Sequence, residues 1–63
     1  MKFIIEYLRA GKVVEMAELD GSAEQVSRLV TANLERREDA NVARIVDANG
    51  KLVEFIDPNA HRC

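Results

Sequence analysis

The chain has 63 residues, a formal net charge of -2 and 48% hydrophobic residues. This length allows one small domain, and the hydrophobic fraction is too high for a disordered chain. The mildly acidic balance excludes a global electrostatic attraction to nucleic acid or anionic lipid. Cys63 is the only cysteine, which excludes a disulfide within the chain.

The N-terminal third is predicted to form a β-hairpin. Two β-prone runs, residues 2–8 and 13–19, flank a short segment that contains Gly11. A loop with an even number of residues produces one fully apolar face, and we expect it for that reason. An odd loop would reverse the partition of the second strand, because a shift of one residue moves every side chain to the other face. In the expected register the apolar face holds Phe3, Ile5, Tyr7, Val14 and Met16.

A helix is predicted to follow Ser22 and to end near Glu38. Ser22 is a favourable N-cap, and Gln25 three residues later completes a capping-box pattern. Apolar residues then recur at spacings of three and four, which is typical of a helix with one buried side. This stripe comprises Ala23, Val26, Leu29, Val30 and Leu34.

A second hairpin is predicted around the turn formed by residues 47–50. Asp47 suits the first position of a type I turn, and Gly50 suits the left-handed position after it. We therefore expect a three-residue loop with a glycine bulge, the alternative being a two-residue Asn49-Gly50 turn. The bulged register places Arg44 opposite Glu54. One face then holds Ala43, Ile45, Val53 and Phe55, and the other holds Val42, Val46, Leu52 and Ile56.

These elements predict an α+β fold with the order ββαββ, in which one helix packs on one face of a four-stranded, mostly antiparallel sheet. We expect a single domain over residues 1–58 and a flexible C-terminal tail over residues 59–63. Two arrangements stay open at this point: the hairpins join within one chain, or they pair across a dimer. The expected core is Phe3, Ile5, Tyr7, Val14, Met16, Val26, Leu29, Val30, Leu34, Ile45, Val53 and Phe55.

The two hairpins carry more apolar residues than one helix can cover. Soluble monomers rarely expose so large an apolar patch. A second layer of structure packed on this face would bury it. We therefore expect a homodimer that packs sheet against sheet, with a further protein as an additional partner. The alternative is that strand twist and long charged side chains shield this face. The candidate interface is Ile4, Leu8, Val13, Leu19, Val42, Val46, Leu52 and Ile56.

No pattern in the sequence indicates catalysis or metal binding. His61 and Cys63 lie at a chain terminus, which supplies neither the rigid frame of a metal site nor the pocket of a nucleophile. Glu6 and Glu15 could meet on neighbouring strands, but no histidine, serine or cysteine is placed to assist them. We therefore expect a non-enzymatic protein without a cofactor or a metal.

Two further functions are weaker alternatives to an interaction module. Four arginines could line a basic strip for nucleic acid, but acidic residues in and after the helix dilute its field. A small-ligand carrier ranks third, because the chain is short for enclosing a pocket of about 300 Å³. The candidate strip is Arg28, Arg36, Arg37 and Arg44.

The expected compartment is the cytoplasm. Glu6 interrupts the first apolar run after three residues, which is too short for a signal peptide. No run approaches the roughly 20 apolar residues of a membrane helix. A single free cysteine agrees with a reducing environment.

The layout resembles that of short, mostly proteobacterial proteins of unknown function with a hairpin–helix–hairpin plan. The likeness lies in the opening strand over residues 2–7, the capped helix from Ser22, and the strand, turn and strand over residues 44–53. The resemblance implies the ββαββ fold and a bacterial origin. It implies no activity, cofactor or site residue.

Overall fold

The computed structural model describes residues 1–58, and it has the predicted α+β architecture with the element order ββαββ. The predicted tail over residues 59–63 lies outside the described residues. The elements are β1 (Lys2–Arg9), β2 (Lys12–Asp20), α1 (Ala23–Arg36), β3 (Val42–Val46) and β4 (Leu52–Ile56).

The four strands form one antiparallel sheet in the order β2-β1-β3-β4. The two hairpins meet through β1 and β3, where Ile5 pairs with Ile45. The Asn41 backbone N–H extends this contact by donating to the Leu8 carbonyl at 3.0 Å. The hairpins therefore join within one chain, and β2 and β4 become the edges of the sheet.

The helix begins at the predicted capping box. The Gln25 backbone N–H donates to the Ser22 hydroxyl oxygen, and the Ser22 backbone N–H donates to the Gln25 side-chain oxygen, each at 3.2 Å. These bonds satisfy two backbone donors that have no partner within the helix. The helix ends at Arg36, two residues before the predicted end.

The core lies between α1 and one face of the sheet, which we call the inner face. The helix presents Val26, Val30 and Leu34 to this face. No described polar or charged residue is buried there, so apolar burial provides the main driving force. The core cluster is Phe3, Ile5, Tyr7, Val26, Val30, Leu34, Ala40, Ala43, Ile45 and Ile56, with Ala17 and Leu19 packed against it.

The first hairpin has the even loop that we expected, but its register is different. Arg9 pairs with Lys12 across a two-residue turn in which Ala10 and Gly11 have φ angles of 53° and 80°. This is the pattern of a type I′ turn. A β-bulge then inserts Val14 as an extra residue in β2. Beyond the bulge every β2 side chain lies on the face opposite to the predicted one.

The second hairpin shows the same departure. Its turn is the predicted one: the Gly50 N–H donates to the Asp47 carbonyl at 3.0 Å, and Gly50 is left-handed with a φ of 80°. A further bulge inserts Val53 into β4, since Val46 pairs with Leu52 and Ile45 pairs with Glu54. The predicted Arg44–Glu54 pair is therefore wrong.

Because of the two bulges, the observed core differs from the predicted one. Phe3, Ile5, Tyr7, Val26, Val30, Leu34 and Ile45 are buried as predicted. Five predicted core residues are instead exposed to solvent, with these exposed fractions: Val14 (45%), Met16 (58%), Leu29 (53%), Val53 (41%) and Phe55 (53%). Four of them follow from the bulges. Leu29 is exposed because the buried stripe of the helix is narrower than the sequence pattern, with three fully buried positions at spacings of four.

Candidate interaction surface

The face of the sheet that is turned away from the helix forms a grid of paired side chains, which we call the outer face. Side chains directly opposite each other in an antiparallel pair lie on the same face, so the register defines the rows. The middle row is Met16, Glu6, Arg44 and Phe55. One flanking row is Glu18, Ile4, Val46 and Leu52, and the other is Val13, Leu8 and Val42. A short end row, confined to the first hairpin, is the pair Lys2 and Asp20.

The outer face is mainly apolar. Eight of these thirteen residues have apolar side chains, and the charged ones are Lys2, Glu6, Glu18, Asp20 and Arg44. Met16, Leu52 and Phe55 are each more than half exposed. A half-solvated antiparallel sheet normally alternates apolar and polar residues, with the polar ones turned to water. On this face the charged residues are confined to the central strands' middle row and to one end of the first hairpin, where Lys2 pairs with Glu18 at 3.7 Å.

An ion pair occupies the centre of the outer face. The Arg44 Nε–H donates to Glu6 Oε1 at 2.7 Å, and the side chains are 40% and 19% exposed respectively. The pair lies between Met16 and Phe55 along its row. The remaining donors of the Arg44 guanidinium make no hydrogen bond within residues 1–58. The centre of this face therefore offers both a carboxylate oxygen and unused N–H donors.

The edges of the sheet are less suited to association than its face. Both bulges lie on edge strands, at Val14 in β2 and at Val53 in β4. A bulge disrupts the row of backbone groups to which another strand would add, and proteins use bulges to protect exposed edges. Each bulge therefore shortens the regular stretch of edge to which another strand could add.

The structure places six of the eight predicted interface residues on the outer face: Ile4, Leu8, Val13, Val42, Val46 and Leu52. Leu8 is only 8% exposed, so it offers little surface to a partner. Leu19 and Ile56 were assigned to the wrong face. Leu19 pairs with Phe3 and packs against the core, and Ile56 pairs with Ala43 and is 8% exposed.

Sequence reasoning missed Met16 and Phe55, which it placed in the core. The only available signal was a pair of adjacent apolar residues shortly after each turn, Val13-Val14 and Leu52-Val53. Such a pair fits a bulge, but it fits a regular strand with two apolar faces equally well.

The four arginines of the predicted basic strip do not form one surface. Arg44 lies on the outer face, whereas Arg28 and Arg36 belong to the helix that covers the inner face. Arg28 is paired with Glu24 at 2.8 Å within the helix. These four arginines therefore do not form the joined strip that the sequence predicted for phosphate binding.

Arg37 has a structural role at the end of the helix. Its Nη2 donates to Asp39 at 2.7 Å and to Glu15 at 2.6 Å, and its guanidinium lies 4.5 Å from the centre of the Tyr7 ring. The hydrogen bonds that Arg37 donates to Asp39 and Glu15 raise the pKa of Arg37. In return, the hydrogen bond from Arg37 lowers the pKa of Asp39. This cluster ties the helix end to β1 and β2.

The predicted pairing of Glu6 with Glu15 is absent. Glu6 pairs with Met16 across the strands and lies on the outer face, whereas Glu15 pairs with Tyr7 and lies on the inner face. No group of three or more metal-binding side chains occurs within residues 1–58. His61 and Cys63 lie outside the described residues. In the same described range, no helix is long and apolar enough to cross a membrane.

A surface hollow of about 590 Å³ lies beside the C-terminal end of α1. Small-molecule sites are predominantly apolar, but half of the residues around this hollow are charged. Between helix and sheet, the space is filled by fully buried side chains such as Val26, Val30 and Ile5. The residues lining the hollow are Arg9, Leu34, Glu35, Arg37, Glu38, Ala40, Asn41 and Pro58.

Comparison with known proteins returned no relative of this chain. No protein-family model matches it. Searches of the curated proteins and of the solved structures found no similar protein or fold either. The resemblance to proteobacterial hairpin–helix–hairpin proteins therefore stays a prediction, and the geometry of the outer face is the basis for a functional proposal.

Proposed function

We propose that this protein is a small, non-enzymatic interaction module of the cytoplasm that forms a homodimer through its outer face. One observation carries the proposal: Met16, Leu52 and Phe55 expose more than half of their surfaces on the sheet face that is turned away from the helix. Covering these side chains removes apolar surface from water, which is the main favourable term in most protein association.

The size of the outer face fits a dimer of moderate affinity. Four strands at a spacing of about 4.8 Å make the face about 19 Å wide, and its strands of five to nine residues are about 17 to 30 Å long. Two copies that cover each other would bury on the order of 1,000 Å² in total, near the lower bound for a specific interface. We therefore expect a dissociation constant in the micromolar range, on the order of 1 to 100 µM.

A second copy of the chain is the occupant that this face favours. Its central pair carries one positive and one negative charge, so two identical faces can complement each other in charge as well as in hydrophobicity. Face-to-face packing also leaves the bulged edges of the sheet unused.

The test is the solution mass, measured by size-exclusion chromatography with light scattering over a range of concentrations. We expect the wild-type mass to rise from 7.1 kDa towards twice that value. Leu52→Glu is expected to abolish the rise, because it introduces a charge into the interface without touching the core. Leu29→Glu is the matched control: Leu29 is 53% exposed, Leu52 is 52% exposed, and Leu29 lies on the helix instead of the outer face.

Two outcomes would contradict the proposal. A wild-type protein that stays monomeric up to about 1 mM would show that the face does not self-associate, and the face would then be free for a different protein. A Leu52→Glu variant that dimerises as well as Leu29→Glu would place the dimer contact elsewhere on the molecule.

A further inference from the structure

We infer that the homodimer is organised by the Glu6–Arg44 pair, about a two-fold axis that runs between β1 and β3 parallel to the strands. This inference rests on the proposed self-association of the outer face, and it specifies how the two copies are oriented relative to each other. It makes Glu6 and Arg44 the residues that select the orientation of the partner.

The position of the pair is the first argument. Glu6 and Arg44 lie on the two central strands and in the middle row of the grid, so any face-to-face dimer with full overlap brings the two pairs together. A homodimer with two-fold symmetry is isologous, so the same patch on each copy contacts itself. When two sheets pack face to face, the two-fold axis must lie in the plane between them.

The direction of this axis decides which charges meet. An axis along the strands places β1 of one copy over β3 of the other, so that Glu6 faces the partner's Arg44. An axis across the strands places Glu6 over the partner's Glu6 and Arg44 over the partner's Arg44. Like charges opposed in an interface are strongly unfavourable. The charges therefore select the axis along the strands.

The unused hydrogen-bonding groups of the pair support the same orientation. Arg44 binds Glu6 through Nε alone, so its Nη groups can donate to the partner's Glu6. The result is a ring of four alternating charges. Only this orientation gives every charge in the ring a partner of opposite sign in the other copy. Desolvated charges require such complete pairing, since a buried charge that loses its partner destabilises an interface strongly.

The apolar residues agree with this axis. The axis along the strands places β2 over the partner's β4, so Met16 lies over the partner's Phe55, and Phe55 over the partner's Met16. Contacts between a methionine sulfur and an aromatic ring are favourable. The strands of the two sheets run nearly parallel in this arrangement, which is the aligned mode of sheet packing.

Charge reversal provides the test. Glu6→Lys makes the centre of the face wholly positive, and Arg44→Glu makes it wholly negative. We expect each variant alone to dimerise at least about a hundredfold more weakly than the wild type. An equimolar mixture of the two variants is expected to form a heterodimer, because a positive face then meets a negative one. Native mass spectrometry and light scattering would detect it.

A charge-swapped chain, with Glu6→Arg and Arg44→Glu together, tests the axis and keeps the ion pair within each chain, which protects the fold. We expect it to form homodimers as the wild type does, but to exclude ¹⁵N-labelled wild-type chains in native mass spectrometry. Isotope labelling is needed because the swap leaves the amino-acid composition unchanged.

The remaining outcomes would overturn the inference. Random mixing of the swapped and wild-type chains would place the pair outside the interface, and preferential heterodimers would indicate the axis across the strands. Single-reversal variants that dimerise like the wild type, or that stay monomeric when mixed, would also refute it. In these cases the Leu52→Glu and Leu29→Glu comparison decides the proposed function separately. A monomeric wild type would overturn both.

Discussion

Phe55 and Ile56 are neighbours in β4, yet the bulge at Val53 places them on the faces opposite to those that a regular strand would give them. Ile56 is 8% exposed and belongs to the core, whereas Phe55 is 53% exposed on the outer face. We predict that Ile56→Glu unfolds the domain and that Phe55→Glu leaves the monomer folded. The same charge in adjacent positions is thus expected to have opposite consequences.

The magnitudes follow from burial. Truncation of a buried isoleucine costs about 2–5 kcal/mol, and an unpaired glutamate in its place adds the cost of burying a polar group. A core of this size supplies only about 3–5 kcal/mol of net stability, so Ile56→Glu exceeds what the fold can tolerate. Full burial of a phenylalanine is worth about 1.5–3 kcal/mol. Since Phe55 is about half exposed, its replacement should cost on the order of 1 kcal/mol.

Far-UV circular dichroism and the dispersion of amide NMR signals would distinguish the two outcomes. Ile56→Val offers a graded version. It should cost about 0.5–1.5 kcal/mol and lower the urea midpoint by about 1 M, for an m-value of about 1 kcal/mol/M. A folded Ile56→Glu variant together with an unfolded Phe55→Glu variant would refute the reasoning, because a β4 without its bulge predicts that result.

Three further predictions concern local features of the fold. Ser22→Ala removes the capping bond from the Gln25 N–H; it should cost about 1 kcal/mol and lower Tm by about 4–8 °C in a thermal melt, and an unchanged Tm would contradict the capping role. Gly50→Ala should cost about 1 kcal/mol through backbone strain alone, because the φ of Gly50 is 80° and no atom lies within 4 Å of an added Cβ. Gly50→Asn should cost less in the same melt, since asparagine tolerates the left-handed region. Asp39→Asn should destabilise the protein above about pH 5, and the deficit should vanish as the pH falls through the lowered pKa of Asp39. Urea titrations at several pH values would measure it, and a deficit that persists at low pH would exclude Arg37 as its cause.

Local chemistry was sufficient to predict the elements and their order. The capping box at Ser22 and the turn from Asp47 to Gly50 both formed as their residue types indicate. Each depends on hydrogen bonds and backbone preferences that span no more than four residues, so the sequence alone contains the necessary information. The helical period of 3.6 residues likewise identified the buried Val26, Val30 and Leu34, although the same pattern also included Leu29, which is exposed.

The faces of the edge strands required the tertiary structure. β2 and β4 carry apolar residues at both alternations, so their periodicity does not distinguish the inner from the outer face. One inserted residue in each strand, Val14 and Val53, then exchanged the faces of every residue on one side of the bulge.

For this reason the sequence predicted that one apolar face of the sheet would remain uncovered. The set of residues that it assigned to this face was only partly correct. The excess of apolar residues is a property of composition and pattern, and it holds in either register. That Met16 and Phe55 belong to this face, and that Glu6 meets Arg44 at its centre, depends on strand order and register. Those are set by contacts between residues far apart in the chain, and no local propensity encodes them.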